Sequence, residues 1–256
     1  MYQPEINAGM RKTLILWLIE VHYTHGLRPE TLYLAVNILD RLSSALILSR
    51  SMYQLVGITS LWLAAKYEEN HGRVPSLRRL VATCANAYTE SDLIKMEKQI
   101  FSSLNGFLES PGAESFLRSE CQIRGIGGQG NGARLRCVAR YLLECTLCNV
   151  DSILIRPSRM AMGALLVADM ALGTGYISRN DSFNDTINII LDSISEPPKF
   201  IMQKYSSDHF HFASVHIQRW RAKAYVIFLF PLVLFSLTFF WFSVLIPFFF
   251  FFFFFV

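Results

Sequence analysis

Residues 55–69 read LVGITSLWLAAKYEE. Eleven of them, Leu55 through Ala65, pass without a charge. A segment apolar nearly all round, within a helix expected over about 51–69, must be enclosed by other helices. Counted in helical steps, Leu55, Thr59, Trp62 and Lys66 share one face. A core-facing stripe therefore ends on a positive charge, and that ending needs an explanation.

Four more helices are expected around this one. Residues 10–24 carry Leu14, Trp17, Leu18 and Val21 at helical spacing, and the joint HGLRPE supplies Gly26 and Pro29. A helix over about 30–44 follows. After HGRVP, another covers about 76–84. The last starts at Thr89, a good N-cap with Asp92 three residues on, and ends near Leu104. No convincing period-two strand appears, so the first hundred residues predict a compact all-α unit.

The last of these helices holds a second anomaly. In SDLIKMEKQIFSSL the apolar stripe is Leu93, Met96, Ile100, Phe101 and Leu104, and Glu97 sits inside it. Two readings stand: a glutamate at the stripe's edge with its head in water, or a partner for another charge. Opposite charges on the apolar faces of two helices suggest mutual pairing or a shared docking surface.

Helices resume after Pro111, in ESFLRSECQI, ARLRCVARYLLECTLCNV, RPSRMAMGALLVADMAL, DTINIILDSI and PPKFIMQKYSSDHFHFASVHIQRW. They predict a second all-α unit of similar size. Between the first two lies Gly125-Ile-Gly127-Gly-Gln-Gly130, which fits the G-x-G-x-x-G dinucleotide pattern. That pattern works only after a strand in a βαβ unit, and the residues before it have helical periodicity, so a loop is expected. Cys137, Cys145 and Cys148 fall on one helical face with no second pair at zinc-finger spacing, which predicts core packing. No metal, cofactor or catalytic constellation emerges. The net charge of +4 is spread among alternating signs, without the basic stripe of a nucleic-acid binder.

MRKTLILWLIEVH, PETLYLAVNILDRLSS, QLVGITSLWLAAKYEE and IKMEKQIFSSL resemble the cyclin box of mitotic (B-type) cyclins, in order and separation. RYLLE, Pro157-Ser158 and KYSSDHFHFASVHIQRWRAK resemble that family's C-terminal cyclin fold, more loosely. The resemblance implies two tandem five-helix cyclin folds, over residues 1–108 and 109–225. It also implies a non-catalytic regulatory subunit of a cyclin-dependent kinase in the nucleus and cytoplasm, acting at the G2/M transition. By the same resemblance, Lys66, Glu97, Phe101 and Phe107 meet the kinase around its PSTAIRE helix, with Gly106 standing where an aromatic residue is usual. Arg11 and Asp40 match a structural pair linking the first two helices. Met10, Leu14, Trp17, Glu20, Arg50, Tyr53 and Gln54 map onto the groove that takes arginine-x-leucine motifs of substrates or inhibitors. Thr13 and Leu16 depart from the groove's usual residues. A kinase-independent degenerate cyclin and a nucleic-acid-binding, transcription-factor-type cyclin fold are the rival readings.

Residues 226–256 hold 14 of the chain's 21 phenylalanines and no charge. Such a stretch is long enough to cross a bilayer, with Arg219, Arg221 and Lys223 on the cytoplasmic side. Pro231, Pro247 and eight successive phenylalanines favour instead a pyrimidine-rich tract read through by a gene model. A membrane partner is expected only if the tail is authentic.

Overall fold

The computed structural model describes residues 3–177 and 184–223. The first repeat is α1 (Ala8–Thr24), α2 (Pro29–Ala45), α3 (Tyr53–Glu68), α4 (Leu77–Thr83) and α5 (Glu90–Ser103). The second contains α6 (Ala113–Ile123), α7 (Gly130–Leu147), α8 (Pro157–Leu172), α9 (Asn184–Ser193) and α10 (Lys199–Lys204), followed by helical residues 213–223. There is no strand among the described residues. The apolar stretch 226–256 lies outside them. No helix within them is long and apolar enough to cross a membrane.

Local chemistry sets the helix ends. The Asn7 side chain accepts the Met10 N–H at the start of α1. Pro29 and Pro157 occupy the first turns of α2 and α8, where the missing N–H costs nothing. The carboxylate of Glu69, at the end of α3, accepts from the Arg28 N–H (2.5 Å) and the Thr31 hydroxyl (2.6 Å), which closes the start of α2. Thr89 and Asp92 form a full capping box at α5. Thr89→Ala should therefore destabilise the chain by about 1 kcal/mol. Thermal denaturation should show a loss of roughly 2–4 °C with helicity retained.

Helix α3 is the centre of the first repeat, with every residue from Leu55 through Ala65 buried. Its Gly57 is needed. A Cβ there would come within 2.9 Å of Leu14 Cδ1, so α1 and α3 approach too closely for a side chain. One continuous apolar core runs through both repeats.

Polar contacts fix the repeats against each other. Arg11 grips Asp40 with two 2.7 Å bonds and donates a third, at 3.0 Å, to the Leu147 carbonyl at the end of α7. Glu30 on α2 pairs with Arg118 on α6 at 2.6 Å. Within the second repeat, Glu144 holds Lys204 at 2.7 Å and accepts from the Tyr205 hydroxyl at 2.8 Å.

Three cysteines expected in the core are there, and burial pushes the Cys148 thiol up to about 12 and Cys145 well above its ordinary value. Gly125–Gly130 leads from α6 into α7 as an inter-helix loop, ending at α7's first residue. Two expectations need correction. The stretch 197–220 is not one helix: α10 ends at Lys204, and left-handed backbone at His211 (φ 50°) and Phe212 (φ 54°) immediately precedes the helical residues from 213. Phe101 does not belong to the buried stripe of α5. Leu93, Met96, Ile100 and Leu104 are buried, whereas Phe101 is 50% exposed.

Candidate functional site

The two anomalous charges meet. Lys66 on the last turn of α3 and Glu97 in the middle of α5 are joined by a 2.6 Å bond between Nζ and Oε1. Their side chains keep 39% and 22% exposure, so the pair lies at the rim of the core rather than within it. The Lys66 ammonium also lies 3.4 Å from the centroid of the Trp62 ring.

Exposed aromatic residues flank this rim. Phe101 follows Glu97 by one helical turn on α5, and Phe107 is 75% exposed just beyond it. The turn between them is set by Asn105 (φ 51°) and Gly106 (φ 72°). A Cβ at Gly106 would lie 3.2 Å from Phe101 Cζ, so the glycine lets that ring lie over the turn. The Arg41 guanidinium of α2 donates to the Phe107 carbonyl at 2.5 Å and anchors the turn. Chemically, the surface offers a cation that donates, a carboxylate that accepts, and apolar rings beside both. Such a surface can grip the backbone and side chains of a docked segment.

The second group of expected site residues divides. Met10, Leu14, Trp17 and Glu20 follow at steps of four, three and three along α1, which packs on α3. Met10 and Trp17 are half-buried and Glu20 is exposed. Arg50 is exposed in the 3-10 turn before α3, with its backbone N–H held by Glu5 at 2.9 Å, and Gln54 is half-buried. Leu14 and Tyr53 are buried. Burial pushes the Tyr53 phenol up to about 12, with Asp40, Arg11 and Ser43 as its polar neighbours. Tyr53 therefore braces α3 against α2 rather than offering its ring to solvent.

A cavity of about 210 Å3 between the repeats has no such reactive character. Its charged walls are paired internally, Glu144 with Lys204 and Arg140 with Glu114. His22 donates from Nε2 to the Arg28 carbonyl, and burial holds its pKa below the usual imidazole value.

Sequence reasoning did not find Arg41, the third Arg11 bond or the Glu144 cluster. The i, i+4 spacing of Asn37 and Arg41 was the only local sign of the first. The other two join residues more than fifty positions apart.

The helices and their order have counterparts in known proteins. Residues 1–109 match the family model for the cyclin N-terminal domain, and residues 111–219 the model for the cyclin C-terminal domain. The chain belongs to the cyclin family. This cyclin is 34% identical over 234 residues to the G2/mitotic-specific cyclin-3 of Saccharomyces cerevisiae, covering 87% of this chain and 53% of the relative. It is 37% identical over 185 residues to Cyclin-B1-3 of Arabidopsis thaliana, covering 72% of this chain and 42% of that one. The G1/S-specific cyclin CCN1 of Candida albicans is 34% identical over 182 residues, 65% of this chain and 26% of the relative. The chain thus spans about half the length of these curated relatives or less. Among solved structures, a viral cyclin from herpesvirus saimiri superposes with a TM-score of 0.66 at 21% identity, covering 76% of this chain and 88% of that one. A chain of the yeast RNA Pol II CTD kinase CTDK-1 complex gives 0.57 at 12% identity, covering 72% and 65%. At those identities the likeness concerns the fold.

Proposed function

We propose that this cyclin is a non-catalytic regulatory subunit that binds and activates a cyclin-dependent serine/threonine kinase at the G2/M transition. The observation that carries the reading is the Lys66–Glu97 pair. It is an opposite-charge pair on two core helices, open to solvent, beside exposed Phe101 and Phe107. A kinase's PSTAIRE helix seated there would meet a donor, an acceptor and apolar area together. Holding that helix keeps the kinase's catalytic lysine–glutamate pair and activation loop in the active arrangement. The G2/M assignment draws on the mitotic relatives. Purifying the chain from cells and identifying the protein that accompanies it tests the reading. A cyclin-dependent kinase supports it, and recovery without any kinase overturns it.

The α1 surface supplies the second part of the proposal, a groove for arginine-x-leucine peptides of substrates or inhibitors. Half-buried Trp17 is its apolar anchor and exposed Glu20 the partner for the peptide's arginine. The Thr13 hydroxyl is spent on the Gly9 carbonyl at 3.0 Å, so it offers no free proton to a ligand. In peptide titrations followed by fluorescence anisotropy, Trp17→Ala should weaken binding by roughly 30-fold, the cost of losing a central aromatic anchor. Thr13→Val should tighten it. Unchanged affinity in both variants would remove the groove from this surface.

A further inference from the structure

We propose that Trp62 is a positioning residue for the docking cation, with its indole face holding the Lys66 ammonium at the Glu97 carboxylate. The inference rests on the docking reading above and adds a residue to it. Trp62 lies one helical turn before Lys66 on α3 and is 7% exposed, so its ring is locked by the surrounding core. The Lys66 Nζ is 3.4 Å from that ring's centroid and 2.6 Å from Glu97 Oε1. A lysine at an exposed rim otherwise samples many rotamers, because its stem is long and flexible. One ion pair in contact with water restrains such a side chain weakly. Indole is the aromatic face that attracts a cation best. A ring that cannot move and a carboxylate on the neighbouring helix leave the ammonium one place to be. A docking helix then meets a charge already in position, and less freedom is lost on association. Lys66→Gln would remove the charge on which both contacts depend.

The test has two readouts on the full chain. The first is the NMR position of the Lys66 ε-methylene protons, which the indole ring current should shift upfield from those of the other lysines. This needs no variant and no kinase. The second is a double-mutant cycle, read as affinity for a purified PSTAIRE-type cyclin-dependent kinase by calorimetric titration, with each variant's melting temperature recorded. Trp62→Leu should weaken binding roughly three- to tenfold, and Trp62→Phe should recover most of the loss. In a Lys66→Gln background, Trp62→Leu should add no more than about a twofold change. Ordinary ε-methylene positions in the unmodified chain overturn the proposal. So does an equal loss from Trp62→Leu in both backgrounds, which makes Trp62 a core residue only. If Lys66→Gln alone leaves kinase affinity unchanged, the docking reading falls and this proposal falls with it, even with the upfield shift present.

Discussion

Lys66→Glu, and separately Glu97→Lys, should abolish kinase association while the purified protein keeps its helicity and melting behaviour. The fold is indifferent because the pair is partly exposed, and such pairs contribute about 0–1 kcal/mol. Association is not indifferent. In Lys66→Glu two carboxylates face each other where a 2.6 Å bond stood, and the only donor of the pair is gone. A docked kinase would cover this rim and exclude water, so the repulsion would no longer be screened. Removing one member of a covered, hydrogen-bonded charge pair costs roughly 2–5 kcal/mol in binding, or about 30- to several thousandfold in affinity. Reversal costs more than removal. Titration of each variant against the kinase, with thermal melts in parallel, separates the two effects. Wild-type affinity in both variants would move the docking face elsewhere.

Asp40→Ala should do the reverse and damage the fold. Arg11 has 8% of its side chain exposed and Asp40 has 17%, so the substitution leaves a guanidinium inside the protein without its carboxylate. Breaking such a pair costs about 3–5 kcal/mol. For a chain of this size that is a fall of roughly 6–20 °C in melting temperature. Because Arg11 also donates to the Leu147 carbonyl of α7, the loss should reach the junction of the repeats as well as the α1–α2 contact. Limited proteolysis should therefore cut faster between α5 and α6. A melting point within about 2 °C of the unaltered protein would show that Arg11 finds water or another acceptor.

The first repeat was legible because its signals are local. Periodicity marked five helices, and the Thr89–Asp92 spacing foretold a capping box that the structure contains. The charge-free, largely apolar run of residues 55–65 identified the buried central helix. Lys66 and Glu97 stood out because each interrupts an apolar face. Their pairing stood only as one of two readings, since 31 residues separate them and periodicity says nothing about which helices meet. Phe101 misled because an apolar residue at the edge of a helical stripe can face either way, and here it faces solvent. The second repeat was harder. No glycine or proline lies between Lys204, where α10 ends, and residue 213, where the helix resumes, so a broken stretch read as one helix. Tyr53 shows the same limit at the groove. Its position in the chain matched a surface role, but its side chain is buried at 5% exposure.

Kinase activation is the most direct test of the proposed role. The purified chain, mixed with a PSTAIRE-type cyclin-dependent kinase that is inactive alone, should form a complex on size-exclusion chromatography. It should also raise phosphate transfer to a protein substrate by orders of magnitude, in proportion to the complex formed, and the Lys66→Glu chain should do neither. Equal phosphate transfer with and without the unaltered chain, and no shift in the kinase's elution, would contradict the account.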